Sequence, residues 1–263
     1  MAQRLLDFVA NTVTGRFVPD NVTPFVVVYT ARTGSNFLAS TLDSHPDILC
    51  HHEVFNRGGI HRSLAYKNTD LSFGTVEERE RDPWAFIRRI YSFQDGAGTV
   101  GFKLAPRVND WALASLLLSR RVRKVLLGRR SWLHAYTSGL IAAQTQVWMQ
   151  RKNADTSETP PKVRVEPSRF RAYARKRRAF YLGCRLLMRA TGQPFYALDY
   201  EEIGEPKTMA ALLSFLGVAT DVKLESATAR QNSQELKDRV ENYQELLSEF
   251  KNTRDDPSTN ESP

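Results

Sequence analysis

The segment from Arg32 to Phe37 has the residue types and spacing of an anion-binding loop. An apolar run, Phe25–Thr30, precedes it, and an apolar helix start follows it. Backbone N–H groups in such a loop, together with the first-turn amides of the helix, have no partners of their own and attract negative charge. Gly34 lets the backbone approach a ligand closely, Ser35 and Asn36 add side-chain donors, and an arginine starts the loop. The segment predicts a site for a phosphate-like group held without a metal, unless it is an ordinary strand, turn and helix.

The loop does not have the sequence of a Walker A motif. That motif, Gly-x-x-x-x-Gly-Lys-Ser/Thr, is absent, and so is the lysine that would reach a terminal phosphate. No evident Mg²⁺-binding carboxylate follows an apolar strand either. Hydrolysis of ATP or GTP is therefore disfavoured, and a P-loop-like nucleotide kinase is kept only as an alternative.

A second strand, turn and helix begins at Lys124–Leu127 and continues through Arg130, Ser131 and Ser138. If Ser131 caps the helix, Arg130 lies where the strand ends and Ser138 lies two turns along the helix. Both side chains can contact one anion only if the ligand lies along the first turns of that helix. Taken alone, Arg130 is equally well explained as a salt-bridge residue and Ser138 as a helix-surface hydroxyl.

The first loop resembles the 5′-phosphosulfate loop of sulfotransferases, in which Pro-Arg/Lys-Ser/Thr-Gly-Ser/Thr follows an apolar strand, although Ala31 stands in place of the usual proline. The spacing of Arg130 and Ser138 is similar to that of the pair that holds the 3′-phosphate of 3′-phosphoadenosine 5′-phosphosulfate (PAPS) in this family. The surrounding pattern looks most like the bacterial carbohydrate-type branch. The resemblance implies PAPS as the donor and no metal. It assigns donor binding to Arg32, Thr33, Gly34, Ser35, Asn36, Phe37, Arg130, Ser138 and Arg230.

The resemblance covers most of the chain. Further blocks similar to the family are Asp43–Ile48, His51–Asn56, Gly101–Leu104, Asp199–Ile203, Arg230–Asn232 and Glu241–Tyr243. Each block is short, and it is their order and spacing that identify the chain as a member of the family.

A catalytic base is expected close to the donor loop, because sulfuryl transfer needs a group that takes the acceptor proton. Cytosolic sulfotransferases use a histidine two residues after a lysine at a strand end, but here Ala105 follows Lys103 at that spacing. In the trehalose-type bacterial branch a glutamate in a similar His-Glu-x-Phe segment is the base, which implies Glu53, with His52 and His51 as runners-up. We expect partial burial and the donor's negative charge to raise the pKa of Glu53. The catalytic residues implied are Glu53, Arg32, His52 and Lys103.

Each of these assignments has a structural alternative. Glu53 could instead pair with an arginine, and His51 or His52 could fill a hydrogen-bonded site. Lys103 could contact the sulfuryl group or the leaving phosphate, or it could be a structural lysine.

Apolar runs typical of strands alternate along the chain with helical patterns. The predicted strands are Phe25–Thr30, Ile48–Cys50, Thr99–Leu104, Lys124–Leu127 and Phe195–Asp199. Such alternation predicts an α/β fold, with a mainly parallel central sheet flanked by helices and ligands at the carboxyl ends of the strands. The resemblance makes this the P-loop-NTPase-like sulfotransferase fold. Helix starts are predicted at Asp82-Pro83, Ser168 and Glu205-Pro206.

A chain of 263 residues with 41% hydrophobic residues predicts a single domain, over residues 1–251. The segment Asn153–Glu166, with prolines at its centre and end, indicates a surface insertion. A charged amphipathic helix is predicted over Ser233–Phe250 and a disordered tail over Asn252–Pro263.

The formal net charge of +8 indicates polyanionic partners without saying which kind. The densest basic stretch comprises Arg169, Arg171, Arg175, Lys176, Arg177, Arg178, Arg185 and Arg189. Aromatic and leucine residues alternate with these charges at helical spacing, which predicts an amphipathic helix with a solvated basic face. A basic rim for an anionic ligand is the alternative. Nucleic-acid binding is disfavoured, because no zinc-finger, RNA-recognition or basic-zipper signature is present.

The sequence predicts a cytoplasmic protein. No run of about 18 apolar residues exists that could span a membrane. Met1–Arg16 is amphipathic, but it contains Asp7 and has no continuous apolar core, which argues against a secretory signal. Cys50 and Cys184 have no metal-ligand spacing and are expected to be reduced thiols.

These patterns together predict an enzyme that transfers a sulfuryl group from PAPS to a hydroxyl of a carbohydrate or small metabolite. A non-catalytic nucleotide- or nucleic-acid-binding module is the alternative from a different class. We expect Arg57–Arg81 and the insertion to shape the acceptor site, with Trp148 and Tyr66 as candidate lining residues. No oligomeric state is predicted.

Overall fold

The computed structural model describes residues 2–148, 161–228, 235–253 and 255. Within them, five strands form one sheet: β1 (Thr23–Tyr29), β2 (Ile48–His51), β3 (Thr99–Leu104), β4 (Arg123–Gly128) and β5 (Phe195–Asp199). Their order is β2-β3-β1-β4-β5, and all four neighbouring pairs are parallel. The predicted α/β class with a parallel sheet flanked by helices is confirmed.

Helices connect the strands and cover both faces of the sheet. In chain order the α-helices of the described residues are α1 (Ala2–Thr14), α2 (Ser35–Leu42), α3 (Val76–Arg81), α4 (Pro83–Ser92), α5 (Asp110–Leu118), α6 (Trp132–Thr145), α7 (Pro167–Ala190), α8 (Pro206–Leu216), α9 (Leu236–Arg239) and α10 (Tyr243–Phe250). Leu64–Tyr66 and Tyr200–Glu202 are short 3₁₀ turns.

Both faces of β1 are buried, which explains why its sequence is a continuous apolar run rather than an alternating one. Val26 and Val28 belong to the core that contains buried residues of α4 and α5. Phe25 and Val27, which point the other way, belong to the core that contains buried residues of α2 and α8. The central strand is therefore fixed from both sides, and so is the loop that follows it.

Two helix starts agree with the predictions and one does not. The carboxylate of Asp82 accepts hydrogen bonds from the backbone N–H groups of Trp84 and Ala85, and Pro83 is the first residue of α4. Helix α8 likewise begins at Pro206. Ser168 is not the cap of α7, because the preceding proline starts the helix and the Ser168 hydroxyl donates to Glu166 instead.

The single C-terminal helix predicted over Ser233–Phe250 is wrong. Residues 229–234 lie outside the described part of the chain, and the remainder forms α9 and α10 with a break between them. At the break, Val240 is extended and pairs with Val163. The side chain of Asn242 then donates to the carbonyl of Val165 and accepts from its N–H. These contacts with residues 163–165, just before α7, stabilise the break and compensate for the helical hydrogen bonds that are lost there.

Helix α7 confirms the predicted amphipathic helix with a basic solvated face. Its buried side chains are Phe170, Ala174, Tyr181, Cys184 and Met188. On the outer face, Arg169 pairs with Glu166 at 2.6 Å, and Arg171 pairs with Glu249. Arg177 is an exception, because its Nε atom is buried and its guanidinium stacks on the ring of Tyr173.

Three further predictions concern the chain as a whole. Cys50 and Cys184 are buried free thiols. Within the described ranges, none of the helices has the length and hydropathy needed to cross a bilayer. The domain boundaries at 1–251 remain a prediction. Of the surface insertion predicted over Asn153–Glu166, residues 153–160 lie outside the described residues, and so do nine of the twelve residues of the tail predicted over Asn252–Pro263.

Candidate functional site

A cavity of about 950 Å³ opens at the carboxyl ends of the strands. After β1 the chain passes to β2 and β3 on one side, whereas β4 and β5 lie on the other side. The loop after β1 therefore lies where the strand order reverses, which is where open α/β sheets bind ligands. Residues that follow β1, β2, β3 and β4 all line the cavity.

The predicted anion loop forms the floor of this cavity. Gly34 has a φ of 73° and is the N-cap residue of α2, with no side-chain capping bond. A Cβ atom at this position would lie 2.1 Å from the ring of Tyr200, so only glycine fits. The hydroxyl of Thr33 donates to the carbonyl of Thr30 at 2.8 Å, which closes the turn. The first-turn backbone N–H groups of an α-helix have no partners within the helix, and an anionic ligand can bind to them.

Arg32 joins the two motifs identified in the sequence. Its Nε and Nη2 atoms donate to the hydroxyl of Ser138 at 2.9 and 2.8 Å, and its Nη1 donates to the carbonyl of Trp148 at 2.8 Å. The backbone of Arg32 has a φ of 69°, a left-handed conformation that costs a non-glycine residue about 1–2 kcal/mol. The backbone of the anion loop is thus strained at Arg32, the residue whose guanidinium contacts Ser138. Such strain is common at ligand sites.

Arg129, not Arg130, lines the cavity. Arg129 is 9% exposed, stacks over the ring of Tyr200 with 4.7 Å to the centroid, and donates to the backbone carbonyl of Arg32 at 2.9 Å. Arg130 turns outward, where its 54% exposed side chain donates to Glu202 at 2.8 Å. The structure therefore does not bring Arg130 to Ser138 as the spacing suggested. The carboxylates at Glu201 and Glu202, just after β5, were the sequence signal for this outward pairing.

Lys103 lies between the anion loop and the predicted base. Its Nζ atom is 3.3 Å from the hydroxyl of Ser35 and 3.2 Å from Oε1 of Glu53, and it also contacts Oδ1 of Asn36. Its side chain is fully buried, and burial lowers its pKa against the opposing pull of Glu53. One ammonium group thus contacts both the N-terminus of α2 and the carboxylate that follows β2.

The expected rise in the pKa of Glu53 is opposed by this neighbour. Burial alone would raise the pKa, but the charge of Lys103 and hydrogen bonds from Asn56 and Tyr29 lower it to about 2. The two hydrogen bonds are both 2.8 Å long. Glu53 is therefore an ionised carboxylate with an ordered position, rather than one of raised proton affinity as the sequence argument expected.

Of the two histidines considered beside it, only His52 lines the cavity. Its Nδ1 lies 3.2 Å from Oδ1 of Asn36, and burial lowers its pKa to about 3, so the ring is neutral. His51 lies inside the core, 5.1 Å from the ring of Phe73, and its Nδ1 accepts from the backbone N–H of Ser63. Ala105 lines the cavity where cytosolic sulfotransferases have their histidine.

A group of buried cations beside the cavity was not found from the sequence. Arg129, Arg177 and Arg239, here called the buried arginine cluster, each have at least one buried nitrogen without a hydrogen-bond partner among the residues that the structure describes. The hydroxyls of Tyr173 and Thr137 are buried and unpartnered as well. Arg239 is fully buried, and burial together with the charge of Arg129 lowers its pKa to about 10. Arg129 pairs with Glu201 at 3.7 Å, whereas Arg177 and Arg239 form no ion pair among the described residues. Buried charge without a counter-charge is costly, so Arg177 and Arg239 favour a nearby anion.

Nothing in the sequence marked this cluster. Arg177 belongs to the basic face that was interpreted as solvated, and Arg239 belongs to the predicted C-terminal helix. Arg177 instead stacks on Tyr173 at 4.1 Å, and Arg239 donates to Nδ1 of His134 at 2.8 Å.

The remaining predicted residues divide into three groups. Trp148, half exposed, lines the cavity, whereas Tyr66 does not and donates its hydroxyl to Asp95. Arg230 lies outside the described residues. Among the residues that are described, no group of three or more His, Cys, Asp and Glu side chains could hold a metal ion.

Comparisons with known proteins found relatives that match over nearly their whole length. Nodulation protein H from Rhizobium meliloti strain 1021 is 25% identical over 235 residues, which cover 87% of this chain and 92% of the relative. A second nodulation protein H from Rhizobium meliloti is 26% identical over 236 residues with the same coverage. A crystal structure of a sulfotransferase from Alicyclobacillus acidocaldarius aligns with a TM-score of 0.46 at 16% identity, covering 86% of this chain and 91% of that one.

No protein-family model matches the chain. The ordered motifs, their placement at one edge of a parallel sheet and the whole-length similarity to nodulation protein H nevertheless agree. The chain is similar to nodulation protein H over most of its length, and the order of its motifs resembles that of sulfotransferases.

Proposed function

We propose that the protein transfers a sulfuryl group from PAPS to a hydroxyl of a carbohydrate or other small metabolite by in-line displacement. The observation that supports this most directly is the position of Lys103, 3.3 Å from the Ser35 hydroxyl and 3.2 Å from the Glu53 carboxylate. A donor on the loop and an acceptor hydroxyl at Glu53 would meet at this ammonium, so donor, acceptor and base lie within reach of one another.

The 5′-phosphosulfate is proposed to bind the loop between β1 and α2. Backbone N–H groups of Thr33 to Phe37 and the positive end of the helix dipole would hold its oxygens. Ser35 and Asn36 add side-chain donors, and Gly34 leaves room for the backbone to approach. Arg32 supplies a fixed positive charge at the entrance to the loop.

The 3′-phosphate is proposed to bind on the β4 side, near Ser138. Arg32 and Arg129 are the charged groups that line the cavity there. The buried arginine cluster extends this positive region behind Arg129, and its unpaired nitrogens favour a doubly charged phosphate. Arg130 and Arg230, which the family resemblance implies, stay in the proposal as further contacts at the rim of this site.

In the proposed step, the acceptor oxygen attacks sulfur while the bond from sulfur to the bridging oxygen breaks. The acceptor proton goes to Glu53, and the electron pair leaves with adenosine 3′,5′-bisphosphate. Lys103 and the loop N–H groups stabilise the charge that develops on the sulfuryl and leaving oxygens. As Lys103 turns towards that charge, Glu53 loses the cation that lowers its pKa, and its proton affinity rises when the proton must be accepted. His52 remains the alternative base.

The wall of the cavity indicates the class of acceptor, and the cysteines indicate the compartment. The cavity wall beside Glu53 has polar groups at Asn56, His61 and Ser63, which suit a compound with several hydroxyls.

The two free buried thiols suit the reducing cytoplasm. We propose a cytoplasmic enzyme on this basis.

Two measurements test the proposed function in sequence. Calorimetric titration with adenosine 3′,5′-bisphosphate should show saturable binding, and no binding would remove the donor assignment. Incubation with labelled PAPS and an extract of hydroxyl metabolites, followed by mass spectrometry, should then show sulfated products. Binding of the nucleotide without any sulfated product would favour the non-catalytic alternative, and salt-sensitive binding of DNA or RNA would strengthen that alternative.

A further inference from the structure

We infer that the acceptor half of the cavity is a second anion site, in which Arg62 and Lys67, with His61, bind an anionic group on the hydroxyl acceptor. A phosphate or a carboxylate would satisfy this chemistry. The inference rests on the proposed function, since it concerns the substrate that meets the donor at Glu53.

These cations lie away from the residues proposed to hold the donor. Arg62 and Lys67 are in the segment that follows β2, whereas the donor residues follow β1 and β4. In the strand order β2-β3-β1-β4-β5, β2 is two strand spacings from β1 and three from β4. At a spacing of about 4.8 Å these distances are about 10 and about 14 Å. Arg62 and Lys67 therefore line the end of the cavity opposite the 3′-phosphate site.

The described residues do not neutralise the positive charge at this end of the cavity. Among the described residues that line the cavity, Glu53 is the single carboxylate, and it is already paired with Lys103. Neither Arg62 nor Lys67 forms an ion pair within the described part of the chain. The contacts of the Arg62 guanidinium with the carbonyl of Thr69 are long, at 3.5 Å. These groups are available to a ligand.

The segment that holds the cations is fixed relative to the base. The backbone N–H of His61 donates to the carbonyl of Glu53 at 3.3 Å. The backbone N–H of Ser63 donates to Nδ1 of the core residue His51 at 3.1 Å, and its hydroxyl donates to Asp43. The same hydroxyl caps the 3₁₀ turn Leu64–Tyr66. An anion held by Arg62 would therefore place the rest of the acceptor at a reproducible distance from Glu53.

An acceptor selected in this way has a negative charge in addition to its reactive hydroxyl. A hydrogen bond to a charged group contributes about 1.5–3 kcal/mol, so one such contact changes affinity by about tenfold or more. We therefore expect the enzyme to discriminate between charged and neutral compounds that have the same hydroxyl arrangement.

The test uses the full-length protein saturated with adenosine 3′,5′-bisphosphate, so that the donor's anion sites are occupied. Glucose 6-phosphate, glucuronate and glucose are titrated by calorimetry at low and high salt. The charged probes should bind at least about tenfold more tightly than glucose, with a preference that weakens in salt. Comparison of the phosphate with the carboxylate identifies the preferred anion.

The double variant Arg62→Gln with Lys67→Gln should lose this preference, while Lys207→Gln, an exposed lysine on α8, should keep it. Thermal melting checks that both variants fold. Equal affinity for charged and neutral probes, no binding of any probe, or a preference that survives in the double variant would each overturn the inference. If the bisphosphate itself does not bind, the proposed function fails instead, and titration of wild type and double variant with inorganic phosphate then tests the cations alone.

Discussion

The Nζ atom of Lys103 lies 3.2 Å from Oε1 of Glu53, and this pair connects the end of β3 to the segment after β2. Lys103 has no exposure to solvent, whereas the Glu53 side chain is about a third exposed at 34%. The ammonium is therefore permanently inside the protein, and the carboxylate is the partner that a substrate reaches from the cavity. This difference in exposure suits a base at Glu53 whose pKa depends on whether the Lys103 ammonium contacts the carboxylate or the substrate.

Glu53→Gln should abolish sulfate transfer and leave the affinity for adenosine 3′,5′-bisphosphate within about twofold. The amide keeps the size of the side chain, and its one oxygen can still accept a hydrogen bond from Tyr29, whereas the –NH2 group cannot accept from Asn56 and the side chain cannot take a proton. Single-turnover rates and calorimetry separate the two effects. His52→Gln is the matched control, and a loss of turnover in this variant with activity retained in Glu53→Gln would assign the base to His52.

The variants Arg129→Gln and Arg130→Gln test which arginine binds the 3′-phosphate. The cavity lining favours Arg129, whereas the sequence spacing favours Arg130. Arg129 lines the cavity and belongs to the buried arginine cluster, so its replacement should weaken binding of adenosine 3′,5′-bisphosphate by at least about tenfold. Arg130 is half exposed and paired with Glu202, so its replacement should have a smaller effect. Calorimetry on both variants measures this. The reverse ranking would show that Arg130 leaves Glu202 to bind the nucleotide.

The sheet and the glycine turn that follows β1 were predictable from the sequence because their physical causes are local. Phe25–Thr30 is a continuous apolar run since both of its faces are buried, and Gly34 is required by a positive φ and by the ring of Tyr200. Ligands of parallel α/β sheets bind where the strand order reverses, and this loop lies there. The choice of Glu53 and Lys103 came from the family resemblance, and the structure brings the two into contact.

The features that sequence reasoning missed depend on long-range packing. Arg32 and Ser138 are 106 residues apart, and their contact forms only because β1 and β4 are neighbours. Whether Arg177 and Arg239 face solvent or the interior depends on how α6, α7 and α9 pack, which periodicity alone does not determine. The pKa of Glu53 likewise depends on Lys103 from a different strand.

Arg79→Met should destabilise the protein and misplace the base. Arg79 is 1% exposed, and its Nη1 donates to the carbonyls of Val54 and Asn56 at 2.8 Å and of Gly59 at 3.3 Å. Loss of this guanidinium leaves buried carbonyls unpaired, at a cost of about 3 kcal/mol. Urea unfolding should show this loss. At temperatures where the variant is folded, kcat should fall while nucleotide affinity stays near wild type.

A purely structural role for Arg79 would predict lower stability with normal kcat in the folded fraction, and this result would exclude positioning of Glu53. Arg79→Lys is the companion variant. It keeps the charge but cannot reach three carbonyls in the same fork geometry, so we expect partial recovery of stability and of kcat.

The free energy of unfolding should decrease as the pH falls from 7 to 5, because buried histidines resist protonation in the folded state. Burial, with the charge of neighbouring cations, lowers the pKa of His51, His52 and His134 from 6.5 to about 3. Below pH 6.5 the unfolded chain binds protons that the native protein does not, so stability is lost in this direction.

Of these three histidines, the two more buried, His51 and His52, should each account for about 2 kcal/mol by pH 5, which is a large part of a typical domain stability. Glu53, whose pKa is lowered to about 2, contributes in the same direction but only below about pH 4.5, so it does not affect this window. Urea midpoints at pH 7, 6 and 5 measure the effect, and a midpoint independent of pH over this range would contradict it. The slope of the unfolding free energy against pH is set by the number of protons taken up on unfolding. His52→Gln removes one titrating group, so this number should fall by about one and the slope should decrease accordingly.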